Sequence, residues 1–477
     1  MAGRPPPLRL GGLRDGGKHT PFATAIPKIC DCPVLEHGDS LDKYFMFESY
    51  APLSQAGAFG FVVGAMAKPA FQTLTNASFK KMDLKPVDLE PVDLAMHPVV
   101  IKEVTLEEQS NLEEVKKETR IMRYLMLLRQ RNPFLRDHLP GYYGCFTGLS
   151  SSSLPVAYLV MDRIVGASLA KTDASPFDVT RVSPFDASKG WAKAKAKAKA
   201  TNYNPTTPPG HVYTSPLFSP TSPSPSKRLA LFSPTPPSPP KPPKQLGKPI
   251  FQKPVEVFDL LSTYLENPTD THFLKTLCTQ VLVPLAKVLH ELHTHNVAHG
   301  DVKPSNMMYG HTGADSPVGV YLVDFGHTCL NPALVSALNL TSYPTCAGHP
   351  LEPASIWHGG YSTIDIGMRY KTFAGQKLSF DDFVRDDWWG FYVTVHSLFS
   401  PMDYPDHEAM FKHGQARGDN PHDTIKAYRE ECLDIFLNDL AKAGVAKDSL
   451  CPRVLALAKA IGTSKPLAEI GALAKRL

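Results

Sequence analysis

The chain reads His299-Gly300-Asp301-Val302-Lys303-Pro304-Ser305-Asn306-Met307-Met308, then a turn-rich gap, then Val320-Tyr321-Leu322-Val323-Asp324-Phe325-Gly326. The first stretch places a carboxylate, an amine and a carboxamide close together. The second ends an apolar strand on another carboxylate. Just upstream, residues 273–295 repeat apolar side chains at helical spacing, with Leu277, Val281, Leu285, Val288, Leu289 and Leu292 on one face. That spacing predicts one long amphipathic helix leading into His299.

Composition narrows the classes. With 477 residues, 43% hydrophobic and 20% charged, the chain has the make-up of a soluble globular protein. It has no run of about eighteen apolar residues to span a bilayer, so no membrane partner is expected. Residues 1–28 are rich in Pro, Gly and Arg and lack the apolar stretch of a secretory signal. Eight scattered cysteines predict reduced thiols in an intracellular protein of the nucleus or cytoplasm. Cys30 and Cys32 are close together but lack further ligands at zinc spacing. The net charge of +4 is unevenly divided: residues 171–253 hold 13 Lys/Arg against 3 Asp/Glu, a local +10, which leaves the remainder at −6. Basicity belongs to one segment, so no specific nucleic-acid partner is expected.

Working outward, residues 1–40 read as a disordered tail. Strand character begins around Tyr44-Phe45-Met46-Phe47. A glycine-containing loop, Leu53-Ser54-Gln55-Ala56-Gly57-Ala58-Phe59-Gly60-Phe61-Val62-Val63-Gly64, then precedes the strand Pro98-Val99-Val100-Ile101-Lys102-Glu103-Val104. Residues 67–97 between them read as an exposed insertion. From Thr105 an apolar face of Leu106, Leu112, Val115, Ile121, Met122, Leu125 and Leu128 predicts a helix, followed by strands over 142–146 and 156–161. The second continues as Met161-Asp162-Arg163-Ile164-Val165-Gly166-Ala167-Ser168-Leu169. Residues 170–253 break this pattern with alternating Lys-Ala and Ser-Pro dipeptides, and 201–250 hold 15 of the 45 prolines. They read as a disordered insert that loops out without disturbing the fold, because closure entropy grows slowly with length. Residues 254–445 follow as a mostly helical part, in which Asp386-Asp387-Trp388-Trp389 is expected to open a buried helix after an irregular stretch. Asp386 reads as its N-cap. Residues 446–477 read as a surface-packed helical extension.

In this order the stretches resemble the protein kinase superfamily, whose patterns include H-R-D-x-x-x-x-N and D-F-G. The resemblance implies an α+β bilobal fold, a β-rich N-terminal lobe of residues 41–169 and a helical C-terminal lobe, with ATP and Mg2+ between them. By the same resemblance Asp301 accepts the substrate hydroxyl proton, Lys303 neutralises the transferring phosphate, and Asn306 and Asp324 hold metal. Lys102 would position the phosphates, paired with Glu118 in preference to Glu113 or Glu114. Gly57 and Gly60 match phosphate-loop glycines, and Gln55 stands where the family has its first. Val62, Val100, Met161, Asp162, Ile164 and Met308 would complete the nucleotide site, and Asp387 would brace the catalytic loop.

The implied activity is phosphorylation of Ser or Thr on protein substrates. The alternatives are a pseudokinase scaffold, or a phosphotransferase acting on small molecules. The nearest subgroup resemblance is to Bub-type checkpoint kinases. Gly300 replaces the arginine of H-R-D, which implies activity without phosphorylation of the following segment. No A-P-E closes that segment, and Asp365 is the candidate stand-in for its glutamate. Ser224-Pro225 and Ser238-Pro239 make the insert a candidate substrate of proline-directed kinases.

Overall fold

β-Branched and aromatic residues alternate through the N-terminal half, and this pattern builds a sheet. The computed structural model describes residues 41–47, 61–71, 75, 97–106, 109–149, 154–166, 255–266, 270–313, 316–337, 345, 362–364, 378–399, 420–442 and 451–477. All belong to one unit formed by Met1–Ser175 and Gln252–Leu477. Strands β1 (Phe45–Phe47), β2 (Phe61–Ala67) and β3 (Pro98–Thr105) precede helix α1 (Gln109–Arg131), and β4 (Tyr142–Leu149) and β5 (Pro155–Asp162) follow it. They form an antiparallel sheet in the order β1-β2-β3-β5-β4.

Period-two alternation gives the sheet two different faces. Val99 and Ile101 of β3 join Val63, Ala65, Phe146, Val156, Tyr158 and Val160 in one cluster. Val104 and Leu159 instead belong to the cluster that contains the apolar side of α1. The expected exposed insertion is corrected at its start. Phe71 is fully buried, 4.7 Å from the Phe45 ring and 5.8 Å from Phe146, and Thr75 is buried as well. An aromatic side chain at this position covers a sheet face that would otherwise meet water.

The sheet gives way to shorter strands and helices. Strand β6 (Val165–Gly166) and strand β7 (Val255–Glu256) both pair with β9 (Met307–His311). Gly166 lies opposite Gly310 and Val255 opposite Tyr309, so residues 167–254 leave and re-enter one residue apart along a single strand. A long insertion there costs the surrounding fold little. Helix α2 (Val257–Glu266) follows β7. The predicted long helix is present and continuous, with a π-helical turn (Cys278–Leu282) between its parts α3 (Thr271–Leu277) and α4 (Val283–Thr294). Pro284 lacks the N–H that an α-helix would direct at Gln280, and the π turn absorbs the missing bond.

Strand β8 (Val297–Ala298) leads into the catalytic-loop stretch and pairs with β11 (Cys329–Leu330), while β10 (Gly319–Leu322) pairs with β9. After α5 (Pro332–Ala337), helix α6 runs over Phe380–His396. It therefore starts before Asp386, capped by Ser379 with a reciprocal bond from Asp382, and Asp386 is not its N-cap. Helices α7 (Pro421–Lys442), α8 (Pro452–Gly462) and α9 (Leu467–Lys475) complete the described chain. The last two are not a surface-packed extension: Val454, Leu457, Ile461 and Ile470 are buried in the same core as α4 and α6. Cys145, Cys278, Cys432 and Cys451 are free. Cys329 is disulfide-bonded, which corrects the expectation of reduced thiols at that position. Its neighbour Leu330 forms an isolated parallel bridge with Thr345. Among the described residues no helix is long and apolar enough to cross a membrane.

Candidate active site

Lys102 is placed by β3, in register with Val62 on β2 and Leu159 on β5, while Val100 faces Met161 across the β3–β5 ladder. Directly paired residues share a face, so Val62, Val100, Lys102 and Met161 lie on the α1 side of the sheet. Glu118 of α1 meets Lys102 there, with both carboxylate oxygens 2.9 Å from Nζ. Glu113 instead bonds Lys116. Asp324 stands 3.7 Å from Lys102 on another side. Burial alone would depress the Lys102 ammonium, but the Glu118 and Asp324 carboxylates outweigh it and raise its pKa above the ordinary value. Lys102 is therefore a permanent cation.

The catalytic-loop stretch forms the second half. Asp301 is buried, with Lys303 Nζ 2.8 Å from Oδ2. Asn306 donates its side-chain N–H to Asp301 Oδ2 at 2.7 Å and to the Asp301 carbonyl at 2.9 Å. A short 3-10 turn, Pro304–Asn306, brings the carboxamide back over the carboxylate. Val323 N–H donates to the Asn306 carbonyl at 2.9 Å, which ties this loop to the end of the strand carrying Asp324. Asp324 has φ 62, a left-handed conformation uncommon for a residue with a side chain, and its side chain is 46% exposed. It is thus the open carboxylate of the group.

The loop hangs from α6. Asp387 accepts His299 N–H at 2.7 Å and Gly300 N–H at 2.8 Å, and His293 Nε2 lies 2.9 Å from the same carboxylate. Gly390, one turn on, lets α6 approach: a Cβ there would sit 2.2 Å from the Val302 carbonyl oxygen. Gly300 has φ +77, and an added Cβ would be 2.6 Å from the His327 carbonyl oxygen. Close backbone packing gives its own reason for glycine where the family pattern has arginine. His299 packs against Phe325 with ring centroids 4.9 Å apart and bonds the Val323 carbonyl at 3.1 Å.

Other candidates are placed less directly. Ile164 is buried and Met308 half-buried on β9, opposite Tyr321 and Glu256. The Asp162 carboxylate is already engaged: Gly141 N–H and the Tyr143 hydroxyl donate to it, and His97 Nε2 lies 2.8 Å away. Burial would raise its pKa, but the His97 bond and the Arg129 charge hold it below the usual carboxylate range. A nucleotide contact from this residue would fall to its backbone. Gln55, Gly57, Gly60 and Asp365 lie outside the described residues, as do residues 170–253.

Sequence reasoning missed two features. His293 carried no signal beyond its place on an amphipathic helix. Asp386 was read as a cap, yet it accepts Ser362 O–H at 2.6 Å, Thr363 N–H at 2.6 Å and Thr363 O–H at 2.9 Å. Arg429 of α7 donates to the same Thr363 hydroxyl oxygen at 2.7 Å. The Ser-x-x-Asp spacing of Ser379 and Asp382 was the legible sign that the helix began earlier.

Among the described residues no group of three or more His, Cys, Asp or Glu could hold a metal ion alone. The residues present still fit Mg2+, which takes hard oxygen ligands and leaves much of its shell to phosphate and water. Asp324 offers an exposed carboxylate, and Asn306, whose N–H is spent on Asp301, keeps its carbonyl oxygen as an acceptor.

No protein-family model matches the chain. Over 73 residues it is 33% identical to casein kinase I homolog 1 and 34% identical to casein kinase I homolog 2, both of Saccharomyces cerevisiae. Each match covers 15% of this chain, and 14% and 13% of those proteins, so the chain spans about one-seventh of the length of the curated relatives it matches. The similarity supports a kinase relationship over a short stretch and lends nothing to the Bub-type subgroup.

Proposed function

We propose that the chain is a bilobal protein kinase that transfers the γ-phosphate of ATP to Ser or Thr hydroxyls of protein substrates. The observation that carries this reading is the meeting of two triads: Lys102, Glu118 and Asp324 on one side, and Asp301, Lys303 and Asn306 on the other. Asp301 accepts the proton of the attacking hydroxyl, and the Asn306 bond fixes the carboxylate's orientation for that role. Lys303, 2.8 Å from Asp301, brings positive charge to the transferring group. Lys102 grips the nucleotide phosphates, and Glu118 keeps the flexible lysine stem in place. When bound through Asn306 and Asp324, Mg2+ neutralises phosphate charge.

The test is Mg2+-dependent phosphate transfer to generic protein substrates by the purified chain. Asp301→Asn should lower the rate by roughly 10²–10⁴-fold, the usual worth of a positioned base. Wild-type turnover by that variant would refute the assignment, and no transfer by the wild type would favour a scaffold. Gly300 stands where the kinase pattern has the arginine that holds a phosphate on the segment after Gly326. Phosphatase-treated enzyme should therefore keep its full rate; loss of activity with a critical phosphate between His327 and Asp365 would overturn this point.

A further inference from the structure

Only Arg163 and Ile164 separate β5 from β6, so this two-residue link joins the five-stranded sheet to the β9 ladder. Its far end is fixed where Val165 pairs with His311. Its near end is fixed by Asp162, whose buried carboxylate gathers three other elements. Gly141 N–H, ahead of β4, donates to Oδ2 at 2.6 Å, and the Tyr143 hydroxyl of β4 donates to Oδ1 at 2.5 Å. His97 Nε2, just before β3, lies 2.8 Å from Oδ1 and 2.9 Å from the Tyr143 oxygen. Arg129 of α1 stands 3.6 Å from Oδ2. We propose that Asp162, His97 and Tyr143 are positioning residues that hold the Arg163–Ile164 backbone where the adenine of ATP docks. This inference rests on the kinase reading above and concerns the part of the site that recognises the base.

The bonding pattern gives the link one geometry. A carboxylate only accepts, and the Tyr143 oxygen has already given its proton to Asp162, so His97 Nε2 is the nitrogen that carries hydrogen. Asp162 N–H donates in turn to the Gly141 carbonyl at 2.8 Å, which closes a reciprocal pair, and Arg163 N–H donates to the Pro98 carbonyl at 3.1 Å. Among the described residues no bond reaches the Ile164 N–H, which leaves this buried residue with a backbone donor for a planar ligand. Burying a charge at the end of a sheet costs stability that an apolar side chain would not, whereas directed bonds fix position. Gly141 is suited to the same arrangement, since a Cβ there would lie 2.6 Å from Asp162 Oδ2. Lys102 does not depend on this cluster, because β3 is paired along its length with β2 and β5. Loss of the clamp should therefore loosen the grip on the base and spare the grip on the phosphates.

The test uses the full chain, titrated calorimetrically with magnesium ATP, adenosine and magnesium tripolyphosphate. Tyr143→Phe keeps the ring that packs edge-on to Phe71 and removes one hydroxyl, so it should retain the fold. It should weaken adenosine and ATP roughly threefold, the modest net worth of one hydrogen bond. His97→Ala should weaken them roughly tenfold, the result of leaving the link in its docking geometry about one-tenth of the time. Neither should change tripolyphosphate affinity, and in transfer assays KM for ATP should rise while kcat is kept. His97→Gln, which restores an N–H donor of similar reach, should recover most of the loss. Wild-type adenosine affinity in both His97→Ala and Tyr143→Phe would overturn the proposal, as would equal losses for adenosine and tripolyphosphate, the mark of a general loosening. Failure of the wild type to bind ATP would instead sink the kinase reading, and this inference with it.

Discussion

Asp386 and Asp387 are neighbours on α6, yet they organise different regions. Consecutive helix residues point about 100° apart, so one carboxylate turns toward the catalytic loop and the other toward the Ser362–Ile364 turn. Asp387 is met mainly by backbone, the N–H groups of His299 and Gly300, with His293 as a third partner. Asp386 is met equally by backbone and side chains, the N–H groups of Thr363 and Ile364 and the hydroxyls of Ser362 and Thr363, with Arg429 reaching it through Thr363. Burial raises the Asp386 pKa even so, and the bonds from Ser362 and Thr363 and the charge of Arg429 only partly offset it. A loop held by its own amides keeps its shape whatever side chains surround it. The Ser362–Ile364 turn is held by amides as well, but it also depends on two hydroxyls and, through Thr363, on the Arg429 cation.

Removing each carboxylate tests that contrast. Asp387→Ala strands two buried amides and frees the loop that carries Asp301, so it should cost about 3–5 kcal/mol of stability and most of the activity. Urea unfolding showing less than 1 kcal/mol would mean the loop is held by other contacts. Asp386→Asn leaves Arg429 buried with a weaker counter-charge and should cost roughly 2–3 kcal/mol. Adding Arg429→Met should recover part of that loss, since the cycle removes the uncompensated charge along with its partner. Strictly additive losses would show that the two residues act independently. Ser362→Ala removes a single donor and should cost about 1 kcal/mol, with little change in transfer rate. A rate loss as large as that of Asp387→Ala would erase the distinction between the two regions.

The candidate site was largely legible in the sequence because its residues sit at fixed spacings within short stretches. Asp301, Lys303 and Asn306 span one loop, Lys102 lies mid-strand, and Glu118 faces inward because Val115, Ile121 and Met122 set the buried side of α1. The misread features depend on partners distant in sequence. Phe71 looks like part of an exposed insertion until Phe45 and Phe146 are seen beside it. Asp162 shows nothing in the sequence of the Gly141, Tyr143 and His97 partners that claim its carboxylate. The C-terminal helices look like a surface addition because alanine-rich spacing does not reveal what covers them.

The resemblance to kinase patterns, carried by short local stretches, was therefore enough to single out the strand lysine, its helix partner and the loop carboxylate as candidates. Composition alone marked residues 170–253 as an insert, and they lie outside the described residues. The resemblance also singled out Asp387 as the aspartate that reaches the catalytic loop; the rotation of α6 that makes it so, and the separate partners of Asp386, belong to the packing. Gly390 against Val302, and Trp389 against Tyr428, set that rotation through contacts across long stretches of chain, where no sequence spacing records them.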